Sequence, residues 1–362
     1  MIPWLFHPLR DSFHGLTVFR YVTFRAGLAA ATAFILSLLL GPLVIRTLTR
    51  LKMGQHIREE GPEHHQAKAG TPTMGGILVL GVILLSTLLW CELKSGPIWV
   101  ALLSLLGFGL VGAFDDAQKL LKKQNLGLKS WQKMALLTGI SLLVAFFILH
   151  FGLRGVGTGQ LSVPFFKNFR PDVGILLVPW IWLVMVGTSN AVNLTDGLDG
   201  LAIGGILIVS VTFAILAYVA GHVKMASYLF VPYVPGGAEL SVFLGAMAGA
   251  SLGFLWFNAH PAEVFMGDTG SLGLGGALGT VALLIKQELL LVIAGGLFVM
   301  EAVSVILQVG SFKLRGGKRI FRMAPFHHHL ELGGLKETKV VIRLWITAIV
   351  CSILALSSLK LR

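Results

Sequence analysis

Ten apolar runs, each about as long as a helix needs to be to cross a bilayer, divide this chain and leave it few possible folds. They lie at roughly 22–45, 73–91, 97–114, 133–153, 173–194, 201–220, 240–257, 269–286, 288–311 and 340–359. A hydrocarbon core of ~30 Å takes about 20 helical residues, and every backbone polar group inside it must find its partner within the protein. The expectation is an all-α polytopic integral membrane protein of about ten transmembrane helices, with residues 1–362 forming a single integral membrane domain. A charged fraction of only 13% excludes a water-soluble domain of this size. The run after Gly270 is short for a span, which places Phe265 to Ser271 near the hydrocarbon boundary.

The net charge of +12 then reads as topology and contact with anionic membrane lipids. No arginine–aromatic pattern or nucleic-acid motif accompanies it, so no nucleic-acid partner is expected. Cys91 and Cys351 both sit in apolar runs, which argues against a disulfide framework or a cysteine metal site. The N-terminus lacks the basic-then-apolar layout of a cleaved signal, so the first run is expected to be an uncleaved anchor. Linkers after runs 1, 3, 5, 7 and 9, with their flanks, hold 18 of the 29 Lys and Arg residues. The positive-inside bias puts these odd linkers in the cytoplasm and both termini in the periplasm. Among the even linkers, 154–172 is expected to form a small periplasmic strand or hairpin, and 221–239 a turn-rich loop.

Every polar cluster with chemical character falls on an odd linker, which suggests one site assembled on one face. Asp115-Asp116 ends the third run. Read as a helix C-terminus, it carries partial negative charge, so the acids ask for a cation or proton, or for neutralisation by Lys119, Lys122 and Lys123. In Asn193-Leu-Thr195-Asp196-Gly-Leu-Asp199-Gly200, Asp199 can cap the next helix, but Asp196 has no such role. The acids could equally hold a metal or bind sugar hydroxyls. Asn258 to Ser271 opens the eighth run. There Asp268, Thr269 or Ser271 can cap a helix, or the glycine-rich start can bind phosphate, which beside Asp268 requires a bridging Mg²⁺. Phe265 is a boundary aromatic or a stacking surface for a base. Three consecutive histidines, His327, His328 and His329, cannot converge on one ion in regular structure; beside arginines they suit a diphosphate. Lys68 can bind phosphate and Thr73 can cap the second helix. Glu301, inside the ninth run, is either functional or a hydrogen-bonded structural acid. Gly275 and Gly279 fit small-residue helix packing better than a dinucleotide fingerprint.

Carboxylates, basic residues and glycine turns on one face, with Mg²⁺ as the implied ion, are equipment for phosphoryl transfer. No P-loop is present, and ten spans around the site imply that one reactant is a lipid.

The motifs Gly-Thr-Pro-Thr-Met-Gly-Gly (70–76), Asp115-Asp116, Gly-Thr-Ser-Asn-Ala-Val-Asn-Leu-Thr-Asp-Gly-Leu-Asp-Gly-Leu (187–201), Phe-Met-Gly-Asp-Thr-Gly-Ser (265–271) and Met-Ala-Pro-Phe-His-His-His (323–329) carry a resemblance that covers essentially the whole chain. It resembles the bacterial phospho-N-acetylmuramoyl-pentapeptide-transferases, a branch of the polyprenyl-phosphate sugar-1-phosphate transferases. The resemblance implies transfer from UDP-N-acetylmuramoyl-pentapeptide to undecaprenyl phosphate with Mg²⁺, giving lipid I and UMP at the bacterial inner membrane. It implies Asp115, Asp116, Asp268 and His327 as catalytic residues and Asp268 as the metal ligand. It assigns Phe265, Asn258 and Asp199 to the nucleoside. It places Lys68, Thr73, Asn193, Asp196, His328 and His329 around the diphosphate and sugar. A covalent step through Asp268 stays open. A homodimer and docking of downstream peptidoglycan enzymes are further implied partners. The alternatives are the same chemistry on another UDP-sugar such as UDP-N-acetylglucosamine, a transporter, and a non-enzymatic scaffold.

Overall fold

The computed structural model describes residues 14–51, 70–122, 127–152, 159–166 and 169–359. Thirteen helices follow one another: α1 (Val22–Arg50), α2 (Gly76–Trp90), α3 (Gly96–Lys122), α4 (Ser130–Phe147), α5 (Leu177–Thr195), α6 (Leu201–Ala220), α7 (Val223–Tyr228), α8 (Glu239–Asn258), α9 (Gly267–Leu284), α10 (Glu288–Ala294), α11 (Gly296–Leu314), α12 (Phe326–Glu331) and α13 (Glu337–Ser357). Among the described residues, eight helices are long and apolar enough to cross a membrane. The 15-residue α2 and the 18-residue α9 complete the ten expected runs.

The short eighth run proves to be the centre of the bundle. From Thr269 to Leu284 every residue of α9 is buried, so no part of it has to match the lipid thickness. Its glycines allow this enclosure. Gly275 and Gly279 lie against the Thr188–Ser189 and Val184–Met185 backbone of α5, and Gly273 against Gly109 and the Leu105 carbonyl of α3. The small-residue packing expected of Gly275 and Gly279 is what these helices do. A second glycine row, Gly245, Gly249 and Gly253, brings α8 against the backbone of α1 at Ala26, Ala30 and Phe34. Without a hydrophobic drive between helices in lipid, close backbone approach of this kind is what holds them together. The outer helices point Leu39 and Leu43 of α1 and Ile346 and Ile353 of α13 outward, as a lipid-facing surface requires.

One expectation changes and two are refined. The ninth run, 288–311, is two helices, because the chain turns at Gly295 between α10 and α11. The loop 154–172 makes one antiparallel bridge, Gln160 with Asp172, and no strand ladder is present among the described residues. The turn-rich loop 221–239 contains the short helix α7. At the end of the bundle opposite the odd linkers, Arg25 of α1 forms a buried ion pair with Glu239 of α8. Arg25 also donates to the Trp90 carbonyl at 3.1 Å, while Glu239 accepts from the Glu92 N–H at 2.9 Å. Three helix ends are thereby tied together, with both charges hydrogen-bonded as burial demands.

Candidate active site

The odd-linker clusters do converge. Asp115 and Asp116, however, are not at a helix end. α3 continues beyond them to Lys122, so they are interior helical residues and the unfavourable dipole invoked above does not act on them. The continuation has a cause in Lys119. Its ammonium lies 2.6 Å from Asp115 and 3.6 Å from Asp116, one turn away on the same helical face. The same ammonium reaches Asp268 at 3.0 Å. Lys133, in the first turn of α4, reaches Asp268 at 2.6 Å and Asp115 at 4.0 Å. Three carboxylates thus share two ammonium groups. Lys133 was not singled out from the sequence. It stands at the start of an apolar run, where a lysine reads as a boundary marker, and only the fold brings it to Asp268.

Asp116 has a specific use for its lone pairs. It accepts from the Asp268 N–H at 3.2 Å, the Thr269 N–H at 2.9 Å and the Thr269 hydroxyl at 2.8 Å. It therefore caps α9 from another helix, satisfying donors that every helix start leaves open. None of Asp268, Thr269 or Ser271 caps α9 by its own side chain. Gly267, at φ 72°, is where the chain enters α9. A Cβ there would stand 2.7 Å from Asp116 Oδ2 and 3.0 Å from the Thr73 hydroxyl, so only glycine admits this approach. Thr73 thus lies at the site. It does not cap α2, whose first turn starts from Gly75 without a side-chain bond. The 72–76 segment instead pairs with the α9 entry, with Phe265 N–H to the Pro72 carbonyl at 2.8 Å and Gly75 N–H to the Phe265 carbonyl at 2.9 Å.

Asn193, in the last turn of α5, donates to Asp268 Oδ1 at 2.8 Å and to the Ser271 hydroxyl at 2.9 Å. Asp268 is therefore held from three sides. Asp196 follows at the end of α5. Burial pushes its pKa up to about 8, reinforced by the charges of Asp268, Asp116 and Asp199 and opposed by the Gly267 N–H.

Asp199, Asn258 and Phe265 form a neighbouring group. Asp199 does not cap α6, which begins from Gly200 in the left-handed region. Its carboxylate accepts instead from His260 Nδ1 at 3.0 Å and from the Ala262 N–H at 3.2 Å. Asn258 accepts from the Gly200 N–H at 3.2 Å and donates to the Val264 carbonyl at 2.8 Å. Phe265 remains half-buried at the edge.

The three histidines diverge, each to a different partner. His327 is wholly buried, with Nδ1 3.1 Å from Glu301 and its backbone N–H 3.3 Å from the same carboxylate. Its Nε2 faces the Gly197 turn, where any Cβ would overlap it. Glu301 is thus a hydrogen-bonded acid serving a site-face histidine. His328 pairs with Glu331 at 2.9 Å, and His329 accepts from the Arg322 N–H at 3.1 Å between the rings of Phe321 and Phe326. Lys68 lies outside the described residues.

Asp115, Asp116 and Asp268 each offer a carboxylate oxygen within 4.8 Å of the others. An all-oxygen, three-acid set fits a hard divalent cation and not a soft transition metal. Beside the site, Leu183, Val184, Thr188 and Ala191 of α5 face Leu291 and Val292 of α10 and Phe298 and Val299 of α11 across an apolar cavity of about 270 Å³. Ala191 lines the cavity, whereas Asn193, two residues on and so on the opposite face of α5, holds Asp268.

The chain matches the family model described as Glycosyl transferase family 4 over residues 98–286. Residues 68–80 match phospho-N-acetylmuramoyl-pentapeptide-transferase signature 1. It is 54% identical over 359 residues to the phospho-N-acetylmuramoyl-pentapeptide-transferase of Desulfotalea psychrophila, covering 99% of each chain. The proteins of the same name from Citrifermentans bemidjiense and Geobacter sp. (strain M21) are 53% and 52% identical over 362 residues, with full coverage of both chains.

Proposed function

The chain belongs to the phospho-N-acetylmuramoyl-pentapeptide-transferase family, and from that premise we propose how its site carries out the transfer. The protein is a multi-pass inner-membrane enzyme that moves phospho-N-acetylmuramoyl-pentapeptide from its UDP donor to undecaprenyl phosphate, giving lipid I and UMP for peptidoglycan synthesis. Full-length identity to relatives of that name favours the muramoyl donor over UDP-N-acetylglucosamine. The observation that carries the site assignment is the Asp115–Asp116–Asp268 centre with its two lysines, Lys119 and Lys133, gathered from three separate helices.

In this reading the acceptor's polyprenyl chain lies along the apolar groove beside α5 and its phosphate comes to the Asp115 end of the centre. A phosphate monoester has a second pKa near 6, so little proton remains to be removed at neutral pH. Lys119 and Lys133 present point charges to the two phosphates as they meet. Asp268, with Asp115 beside it, would hold Mg²⁺, which when bound offsets charge on the diphosphate and on the departing UMP. Asn193 and the Asp116 cap keep the Asp268 carboxylate in place. Asp116 is thereby a positioning residue, set apart from the role that the resemblance alone assigns it. Asp196, whose carboxyl is pushed well above the usual carboxylate range by burial and the neighbouring acids, stands beside the centre, and His327 directs Nε2 toward the same turn. Phe265, Asp199 and Asn258 take the nucleoside end, with Lys68, Thr73, His328 and His329 around the diphosphate and sugar. The positive-inside bias puts this face in the cytoplasm and both termini in the periplasm. All 362 residues act as one transferase domain, as a homodimer that can dock downstream peptidoglycan enzymes.

The test is mass spectrometry of the lipid formed by purified protein, Mg²⁺, undecaprenyl phosphate and the muramoyl donor, run beside Asp268→Asn. The expected result is lipid I from the wild type and a loss of 10³-fold or more in the variant, with unchanged insertion and purification. Full turnover by Asp268→Asn would remove the metal-ligand assignment.

A further inference from the structure

Two titratable side chains outside the acid centre take no part in the transfer described above, yet they meet at its edge. Glu337 lies in the first turn of α13, where a helix N-terminus favours a carboxylate. Its Oε1 accepts from the Asp199 N–H at 3.0 Å. Its Oε2 lies 3.7 Å from His260 Nδ1, the same nitrogen that sits 3.0 Å from Asp199 Oδ2. The two carboxylate side chains are 5% and 1% exposed, whereas the imidazole between them is 41% exposed. One half-open ring thus bridges two closed acids at the mouth of the site.

The bonds continue from there in one direction. Asp199 also accepts from the Ala262 N–H, three residues before Phe265. Asn258 fixes the Val264 carbonyl, and the Phe265 N–H reaches the Pro72 carbonyl. The path from α13 to the aromatic ring is therefore continuous: Glu337 to the Asp199 turn and His260, Asp199 to Ala262, and Ala262 along three residues to Phe265. Among the described residues, the hydrogen bonds of Phe265 are backbone ones, to the Pro72 carbonyl and from the Gly75 N–H. Loosening the near end of its loop displaces the ring without touching Asp268.

We infer that Glu337 and His260 are positioning residues for the donor's nucleoside end, clasping the Asp199 turn to the loop that carries Phe265. The inference rests on the assignment of Asp199 and Phe265 to the nucleoside. A clasp of this kind acts on donor affinity. It leaves the acceptor's groove and the chemistry at Asp268 as they are, because neither residue touches them.

The experiment is steady-state kinetics of the full-length protein in detergent with both substrates varied, on Glu337→Ala, Glu337→Gln, His260→Ala and Phe265→Leu, together with the inhibition constant of the product UMP. Glu337→Ala and His260→Ala are expected to raise the donor KM tenfold or more and to weaken UMP inhibition in parallel, with acceptor KM and kcat within threefold. Glu337→Gln keeps an acceptor for the Asp199 N–H and is expected to recover most of the donor KM. A residue that only stabilises the fold would instead move both KM values and kcat together, and that result overturns the clasp. If Phe265→Leu raises the donor KM while Glu337→Ala and His260→Ala do not, the clasp falls and the nucleoside assignment stands. If Phe265→Leu leaves the donor KM unchanged, the assignment falls and the clasp with it. Should Glu337→Ala not fold, Glu337→Gln and His260→Ala decide: wild-type donor KM in both overturns the inference.

Discussion

A carboxylate that accepts three hydrogen bonds from the start of one helix is poorly placed to be a free base. Asp116 is in that position, and the distinction can be measured. Asparagine is as good a cap as aspartate, whereas loss of a cap costs about 1–2 kcal/mol. Asp116→Asn is therefore expected to keep most of the thermal stability and to lose less turnover than Asp116→Ala, which releases the α9 start and Asp268 with it. Equal loss of kcat in the two variants, with equal Tm, would return Asp116 to the role of a chemical base. At this scale the sequence was informative about residue type and poor about partners. Asp268, Asp115 and Asn193 were legible as candidates because polar clusters at the ends of apolar runs stand out, although capping or charge neutralisation gave each acid a structural reading as well. Lys133 was not, since one lysine flanking a span looks like any other. Glu301 showed itself as an unusual intramembrane acid, but its partner His327 is 26 positions away in sequence and only folding identifies it.

At the scale of elements, α9 decides where the site is. It is enclosed because glycines on several of its faces, and on the helices that meet it, let backbones touch. Gly112 of α3 shows how little room remains. A Cβ there would overlap the Asp268 carbonyl and stand 2.6 Å from the Thr269 nitrogen. Gly112→Ala is accordingly expected to push the α9 start away from α3. Overpacking of this kind costs about 1–3 kcal/mol, and a shift of ~1 Å in a reacting group can cost about 10²-fold in rate. Gly139→Ala, at a position on α4 with nothing within 4 Å, is the control and should behave as wild type in Tm and kcat. Wild-type kcat in Gly112→Ala would mean that the α3–α9 contact does not set the position of Asp268. Most element boundaries were legible to within a few residues of the ends of the apolar runs. Two ends were misread for opposite reasons. α3 outlasts its apolar run because Lys119 pairs back onto Asp115 and Asp116, so polar residues continue the helix. The ninth run breaks at Gly295 although its apolar character continues, and hydropathy alone gives no signal for a bend inside an apolar stretch.

For the whole molecule, the alternation of charge and the geometry make separate statements that meet. The basic linkers were assigned to one side by counting Lys and Arg. The fold independently gathers the ends of α3, α5 and α8 and the starts of α4, α6, α9 and α13 around the acids, with the Arg25–Glu239 pair at the far end. A UDP-linked donor carries charges that cannot cross hydrocarbon, so the proposed function requires the acid end to face the cytoplasm. That proposed topology can be tested without any assay of turnover. In a background with Cys91 and Cys351 replaced by alanine, a single cysteine at the exposed Lys318, after α11, reports the acid end, and one at the exposed Lys224, on α7, reports the opposite end. An impermeant maleimide is expected to label Lys318→Cys only in inside-out vesicles and Lys224→Cys only in right-side-out ones. The reverse pattern would place the acids on the periplasmic face. The charged donor could not reach them there, and the cytoplasmic assignment of the site would have to be abandoned together with the periplasmic placement of both termini.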